Sequence, residues 1–130
     1  MKLIDTNIFL EILLQQKKSD IAKGILRELV ENSEPFIITS FTIHSIIVIL
    51  EKRRMINELK IFMSSLAEIE NLLFYYPTFE EEKEIIHNMT KWNLDFDDSF
   101  QYFVAQKLEA ELITFDHNFA GITDIDIRIL

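Results

Sequence analysis

Residues 1–7 read Met1-Lys2-Leu3-Ile4-Asp5-Thr6-Asn7, a short apolar run that stops in an acid, a hydroxyl and an amide. A run of this kind, followed by helix-starting residues, reads as a buried parallel strand. Polar groups just past the C-terminal end of such a strand face the ligand crevice of an open α/β sheet. Asp5 is thus delivered either to a site or to the N-cap of the next helix, a position that Asp and Thr both favour.

Working outward, the same strand signal recurs. Phe36-Ile37-Ile38-Thr39 and Leu72-Leu73-Phe74-Tyr75-Tyr76 read as the second and third strands, and Leu112-Ile113-Thr114-Phe115 as the fourth. Ile125, Ile127 and Ile129 alternate with Asp126 and Arg128 as an edge strand would. Between these lie helical stripes. Ile8, Phe9, Ile12 and Leu13 share one face, and so do Ile21, Ile25, Leu26, Leu29 and Val30 after a start at Ser19-Asp20. Ile46-Ile47-Val48-Ile49-Leu50 is apolar all round and reads as a buried helix over residues 42–54, with Lys52-Arg53-Arg54 complementing the dipole of its last turn. Leu59, Phe62, Met63 and Leu66 mark a further amphipathic helix. Thr78-Phe79-Glu80-Glu81 is a capping box that opens a helix through Ile85, Ile86, Met89 and Trp92. Strands separated by helices or helix pairs predict a mainly parallel sheet covered on both faces, an α/β fold.

Composition narrows the class. With 130 residues, 48% of them hydrophobic, the expectation is a single domain over 1–130. Two glycines and two prolines are too few for a turn-rich β sandwich. The absence of cysteine excludes disulfides, thiolate metal sites and a thiol nucleophile, and suits a reducing cytoplasm. An acid at position 5 interrupts any signal-peptide core, and the apolar stretch 36–50 is too short and too often interrupted to span a bilayer, so no membrane role is expected. A net charge of −9 weakens nonspecific attraction to nucleic acid, unless carboxylates hold a cation that bridges to phosphate.

The acids decide what the crevice does. Asp5 and Asp116 stand at the ends of two expected parallel strands, while Asp95, Asp97 and Asp98 crowd the start of the helix carrying Phe100, Phe103, Val104 and Leu108. If the first and fourth strands are neighbours where strand order reverses, these acids converge on one crevice. Carboxylates so gathered repel one another unless protonated or bridged, and their natural occupant is a hard ion with oxygen ligands, Mg²⁺ or Mn²⁺. Only His44, His87 and His117 offer imidazole, which gives zinc little support. The plainer readings are that Asp97 or Asp98 is an N-cap and that Asp116 and Asn118 form a loop turn. In the same spirit, His44 reads as a satisfied polar group in an apolar segment, and Glu80 to Glu84 as a solvated helix start.

Taken together, Asp5-Thr6-Asn7 after the first strand, Asp98 at a helix start and Thr114-Phe115-Asp116 after the following strand resemble the PIN-domain ribonucleases, especially the VapC-like toxins. The resemblance covers nearly the whole chain in element order. It implies a three-layer α/β/α fold with strand order 3-2-1-4-5, and a Mg²⁺- or Mn²⁺-dependent endoribonuclease acting on RNA. It further implies a homodimer, and an antitoxin protein as partner. On that resemblance Asp5, Asp98 and Asp116 are the catalytic, metal-ligating acids. Thr6, Asn7 and Thr114 orient ligands and water, and Asp97 is an auxiliary acid. One departure stands out. The family usually places a further acid on the helix after strand two, where this chain reads Ile43-His44-Ser45-Ile46, with no acid before Glu51. Three carboxylates with extra water, recruitment of Asp97, or compensation by His44, Ser45 or Glu51 are the active alternatives. A catalytically weak or inactive PIN-fold module binding RNA or protein is the other. A phosphoacceptor signalling domain would need an Asp after strand three, where Tyr75-Tyr76-Pro77 stands instead.

Overall fold

A computed structural model describes residues 1–130. The strand β1 (Lys2–Ile4) lies at the centre of a five-stranded sheet, flanked by β2 (Phe36–Thr39) on one side and β4 (Glu111–Thr114) on the other. The outer strands are β3 (Leu72–Tyr75) beside β2 and β5 (Ile127–Ile129) beside β4, so the order is 3-2-1-4-5 and every pairing is parallel. In register, Leu3 sits opposite Ile37 on one side and Leu112 on the other. At one edge of this sheet Glu111 accepts from Lys2 Nζ (3.0 Å) and from Arg128 Nε (2.7 Å), tying β1, β4 and β5 together.

Six helices cover the sheet: α1 (Thr6–Leu13), α2 (Ser19–Glu31), α3 (Ser40–Lys52), α4 (Ile56–Ala67), α5 (Phe79–Trp92) and α6 (Phe96–Leu108). Their placement follows from chain direction. From β1 to β3 the chain moves one way across the sheet, then it returns past β1 and moves the other way through β4 and β5. Right-handed crossovers taken in opposite directions put their helices on opposite faces. One core accordingly joins Ile4, Phe36, Ile38 and Ile113 to side chains of α1 to α4, among them Ile8, Leu29, Ile46 and Leu66. The other joins Leu3, Ile37 and Leu112 to Ile85 of α5 and to Phe100, Phe103 and Val104 of α6. Alternate residues of each central strand enter opposite cores, as the two-residue period of a strand requires. Each such aliphatic side chain, sealed from water, contributes about 1.5–3 kcal/mol.

Three expectations are corrected. The third helix starts at Ser40 rather than at residue 42, because the Thr39 hydroxyl accepts the Thr42 N–H (3.1 Å) and so caps the strand's very next residue into a helix. Nor is that helix buried all round. Ile46 and Leu50 are sealed, whereas Val48 is 45% exposed and His44 faces solvent, where water can satisfy it. At α6 the N-cap is Asp95, whose Oδ1 accepts the Asp98 N–H (2.9 Å). Asp97 and Asp98 lie inside the first turn and are not caps.

Candidate active site

The strand order reverses between β1 and β4, and there the first seven residues meet residues 114–116. Asp5 is 3% exposed and does cap α1, its Oδ1 accepting the Thr6 N–H at 2.7 Å. It also does far more. Its Oδ2 accepts from the Thr114 hydroxyl (2.7 Å) and from Asn7 Nδ2 (3.1 Å), and Oδ1 takes a further, longer bond from Gln101 Nε2 (3.3 Å). Asn7 closes a second loop. Its Nδ2 donates to Thr114 Oγ1 (3.1 Å) and its Oδ1 accepts the Phe115 N–H (3.2 Å), so the start of α1 is clamped to the end of β4. Thr114 Oγ1 in turn accepts the Asp116 N–H (2.9 Å), while the Asp116 carboxylate accepts the Asn118 N–H (2.8 Å). The loop-turn reading of Asp116 and Asn118 is therefore correct as far as it goes, and the turn leaves Asp116 near enough to act on Asp5 electrostatically.

Electrostatics shows that these acids share one field. Burial raises the Asp5 carboxyl above its ordinary range, opposed by the hydrogen bonds from Thr114 and the Thr6 amide and reinforced by Asp116. Asp98 is pushed up to about 7 by burial and then by Asp95, Asp116, Asp97 and Asp5. Asp97 is likewise raised to about 7, by burial and then by Asp5, Asp95 and Asp116, and its Oδ1 is buried without a hydrogen-bond partner. No lysine or arginine enters either account. One cation does stand nearby: Lys18 Nζ lies 4.8 Å above the ring of Phe115, the residue between Thr114 and Asp116.

The donor set is all oxygen and overcharged, which is the chemistry a hard divalent ion relieves. As they stand, though, no three acidic or imidazole side chains converge closely enough to hold an ion. Asp5 is already saturated with donors, two on each oxygen. The long Gln101 bond is the weakest of the four and so the one most readily exchanged.

These features match a known family. A PIN domain family model aligns with residues 2–125. The chain belongs to the PIN domain family. Solved structures agree with this PIN domain in fold over nearly their whole length. A toxin-antitoxin complex from Klebsiella pneumoniae shares 22% identity over 96% of this chain and 95% of that one, with a TM-score of 0.70. VapBC2 from Rickettsia felis, bound to a DNA fragment from its promoter, shares 17% over 99% and 98% (TM-score 0.73). VapC20 from Mycobacterium tuberculosis, a sarcin-ricin loop cleaving toxin, shares 14% over 97% and 99% (TM-score 0.73). At these identities the likeness is one of fold. No curated protein matches the sequence significantly.

The structure also shows which α3 residue lies at the crevice. Glu51 is exposed at the far end of α3, and His44 points outward into a groove that it lines with Phe41, Ser45, Val48 and Phe96. The α3 residue that touches the crevice is Thr42, fully buried, whose hydroxyl pairs with Thr6 Oγ1 (2.8 Å) and accepts from Gln101 Nε2 (2.9 Å). Neither Thr42 nor Gln101 belongs to the acidic and hydroxyl set that the sequence marks. The available signal was a lone amide within the run Phe100-Gln101-Tyr102-Phe103-Val104-Ala105, one helical turn beyond Asp98.

Proposed function

We propose that this PIN domain is a Mg²⁺- or Mn²⁺-dependent endoribonuclease that hydrolyses RNA phosphodiester bonds as the toxin of a toxin-antitoxin pair. The observation that supports the reading is that Asp5, Asp97, Asp98 and Asp116 lie close enough to act on one another's carboxyls, with no basic residue entering the balance. Asp5, Asp98 and Asp116 would hold the ion, which when bound supplies a Lewis acid and an activated water. The chain's own groups do the positioning. Thr114 and Asn7 fix Asp5 in one rotamer, the Thr6 amide fixes its Oδ1, and the Asp116 N–H ties the far wall to Thr114. Lys18, over the Phe115 ring, would be the cation nearest to this loop for an incoming phosphate.

The partner assignments rest on surface chemistry. An apolar cleft of 180 Å³ between α1, α2 and α4, lined by Phe9, Leu13, Leu26, Phe62 and Leu66, suits the apolar side chains of an antitoxin. Val48 and Tyr76, 45% and 67% exposed in one groove, suit a second copy in a homodimer. No helix is long and apolar enough to cross a membrane, and the proposed setting is the cytoplasm.

The test is cleavage of diverse RNAs by purified protein with Mg²⁺ or Mn²⁺, compared with Asp5→Asn. Metal-dependent cleavage that the variant lacks supports the reading. A second reading, a PIN fold retained for RNA or protein binding with little catalysis, is favoured by the saturated Asp5 and the absence of three converging ligands. Intact RNA in the presence of either ion, with a partner still bound, would select it.

A further inference from the structure

Gln101 is fully buried, yet it is the only side chain that joins Asp5 of the β1 edge to Thr42 of α3. Its amide orientation is set by chemistry. The group facing the Asp5 carboxylate, which only accepts, must donate to it, and this assigns Nε2 to that side. The consequence is that Oε1 is left buried with no hydrogen-bond partner. A single amide group places its oxygen about 2.2 Å from its nitrogen. Gln101 Nε2 lies 3.3 Å from Asp5 Oδ1, so Oε1 is within about 5.5 Å of that carboxylate. An unpaired buried carbonyl oxygen calls for a donor, and the protein itself supplies none.

We propose that Gln101 stands in for the acid that α3 lacks, as a neutral positioning residue: Nε2 orients Asp5 and Thr42, while Oε1 accepts a hydrogen bond from the hydration shell of a divalent cation held at Asp5. This rests on the metal-dependent reading above and goes beyond it by assigning a residue outside the acidic set. A neutral amide is the suitable occupant here. Four carboxylates already crowd the crevice, and a fifth acid would add repulsion, whereas an amide supplies an oxygen acceptor without charge. Thr6 extends the same support through Thr42, so one chain of contacts runs from α6 through α3 to the start of α1.

The experiment is Mn²⁺ titration by calorimetry and by the Mn²⁺ resonance signal on wild type, Gln101→Leu and Gln101→Glu, with RNA kinetics alongside. Gln101→Leu keeps the volume and removes both polar contacts. It is expected to weaken Mn²⁺ binding about tenfold or more, the scale of losing a group that orients a metal ligand, and to lower kcat with little change in KM for RNA. Gln101→Glu keeps an oxygen toward the ion and adds charge, and is expected to bind Mn²⁺ at least as tightly as wild type. A folded Gln101→Leu that binds Mn²⁺ as tightly as wild type, or more tightly, overturns the proposal. If Gln101→Leu does not fold, Gln101→Glu decides alone, and weaker binding by it overturns the proposal. Wild type that binds Mn²⁺ but leaves RNA intact refutes the ribonuclease reading without touching this one, whereas wild type that binds no Mn²⁺ refutes both.

Discussion

Two stretches of this chain look alike on paper: Glu80 to Glu84 at the start of α5, and Asp95, Asp97 and Asp98 at the start of α6. Both place several acids where a helix dipole favours them. Their fates diverge. At α5 the charge is answered by the protein itself. Glu81 completes a capping box with Thr78 and receives Lys107 and the Tyr75 hydroxyl, which hold its carboxyl down at about 2. At α6 only Asp95 does a structural task, capping the helix. Asp97 and Asp98 are left to burial and to the surrounding acids Asp5, Asp95 and Asp116, and are raised to about 7. The lesson is that an acidic helix start is read by its partners. Where the fold supplies cations and donors, the acids stabilise it, and where it supplies none, they wait for something from outside.

The sharpest way to break this contrast is at the crevice. Asp5→Asn should abolish RNA cleavage, by at least about 100-fold on the scale of a lost catalytic group, while circular dichroism shows the fold retained. Next, Asp98→Asn should lose cleavage yet melt higher than wild type in metal-free buffer at neutral pH. Replacing a crowded buried acid by an amide relieves roughly 1–2 kcal/mol after solvent screening, or several degrees in Tm. The sign follows from proton counts. With a folded value near 7 against 3.8 unfolded, the native state holds more protons between those limits, so this acid costs stability as pH rises through that window. The gain from Asp98→Asn should therefore be large at pH 7.5 and small at pH 4.

The opposite slope is expected at α5. Glu81→Gln should destabilise by about 1–2 kcal/mol, as expected for a lost cap partner and charge-assisted hydrogen bonds. That contribution is full above the unfolded value of 4.5 and is lost as pH falls toward 2, so wild type and variant should converge in acid. The smallest effect belongs to Thr78→Ala, about 1 kcal/mol in urea unfolding for one exposed cap.

Local signals were the legible ones. Residues 1–7, the capping box at Thr78 and the alternation at Ile125 to Ile129 declare their roles within a few positions, and from them the order of elements follows. Strand order follows only from the family resemblance, and the meeting of Asp5 with residues 114–116 only from supposing the first and fourth strands neighbours, because nothing near Asp5 in the chain encodes contacts more than a hundred residues away. Gln101 was illegible for the same reason. Its partners lie 96 and 59 positions distant, and an amide in a run of aromatic and aliphatic residues carries no local hint of its task. The open face of α3 is hidden in the sequence because Ile46 to Leu50 is uniformly apolar, so the sequence does not say which side the sheet covers.

The direct test is a side-chain carboxyl titration by NMR on metal-free protein, repeated with saturating Mg²⁺. Asp97 and Asp98 are each expected to titrate around pH 7 while Glu81 titrates near 2, and Mg²⁺ is expected to draw both aspartates down toward the ordinary carboxylate range without moving Glu81. Ordinary values at all three residues, or raised aspartates that Mg²⁺ leaves where they were, would contradict this expectation.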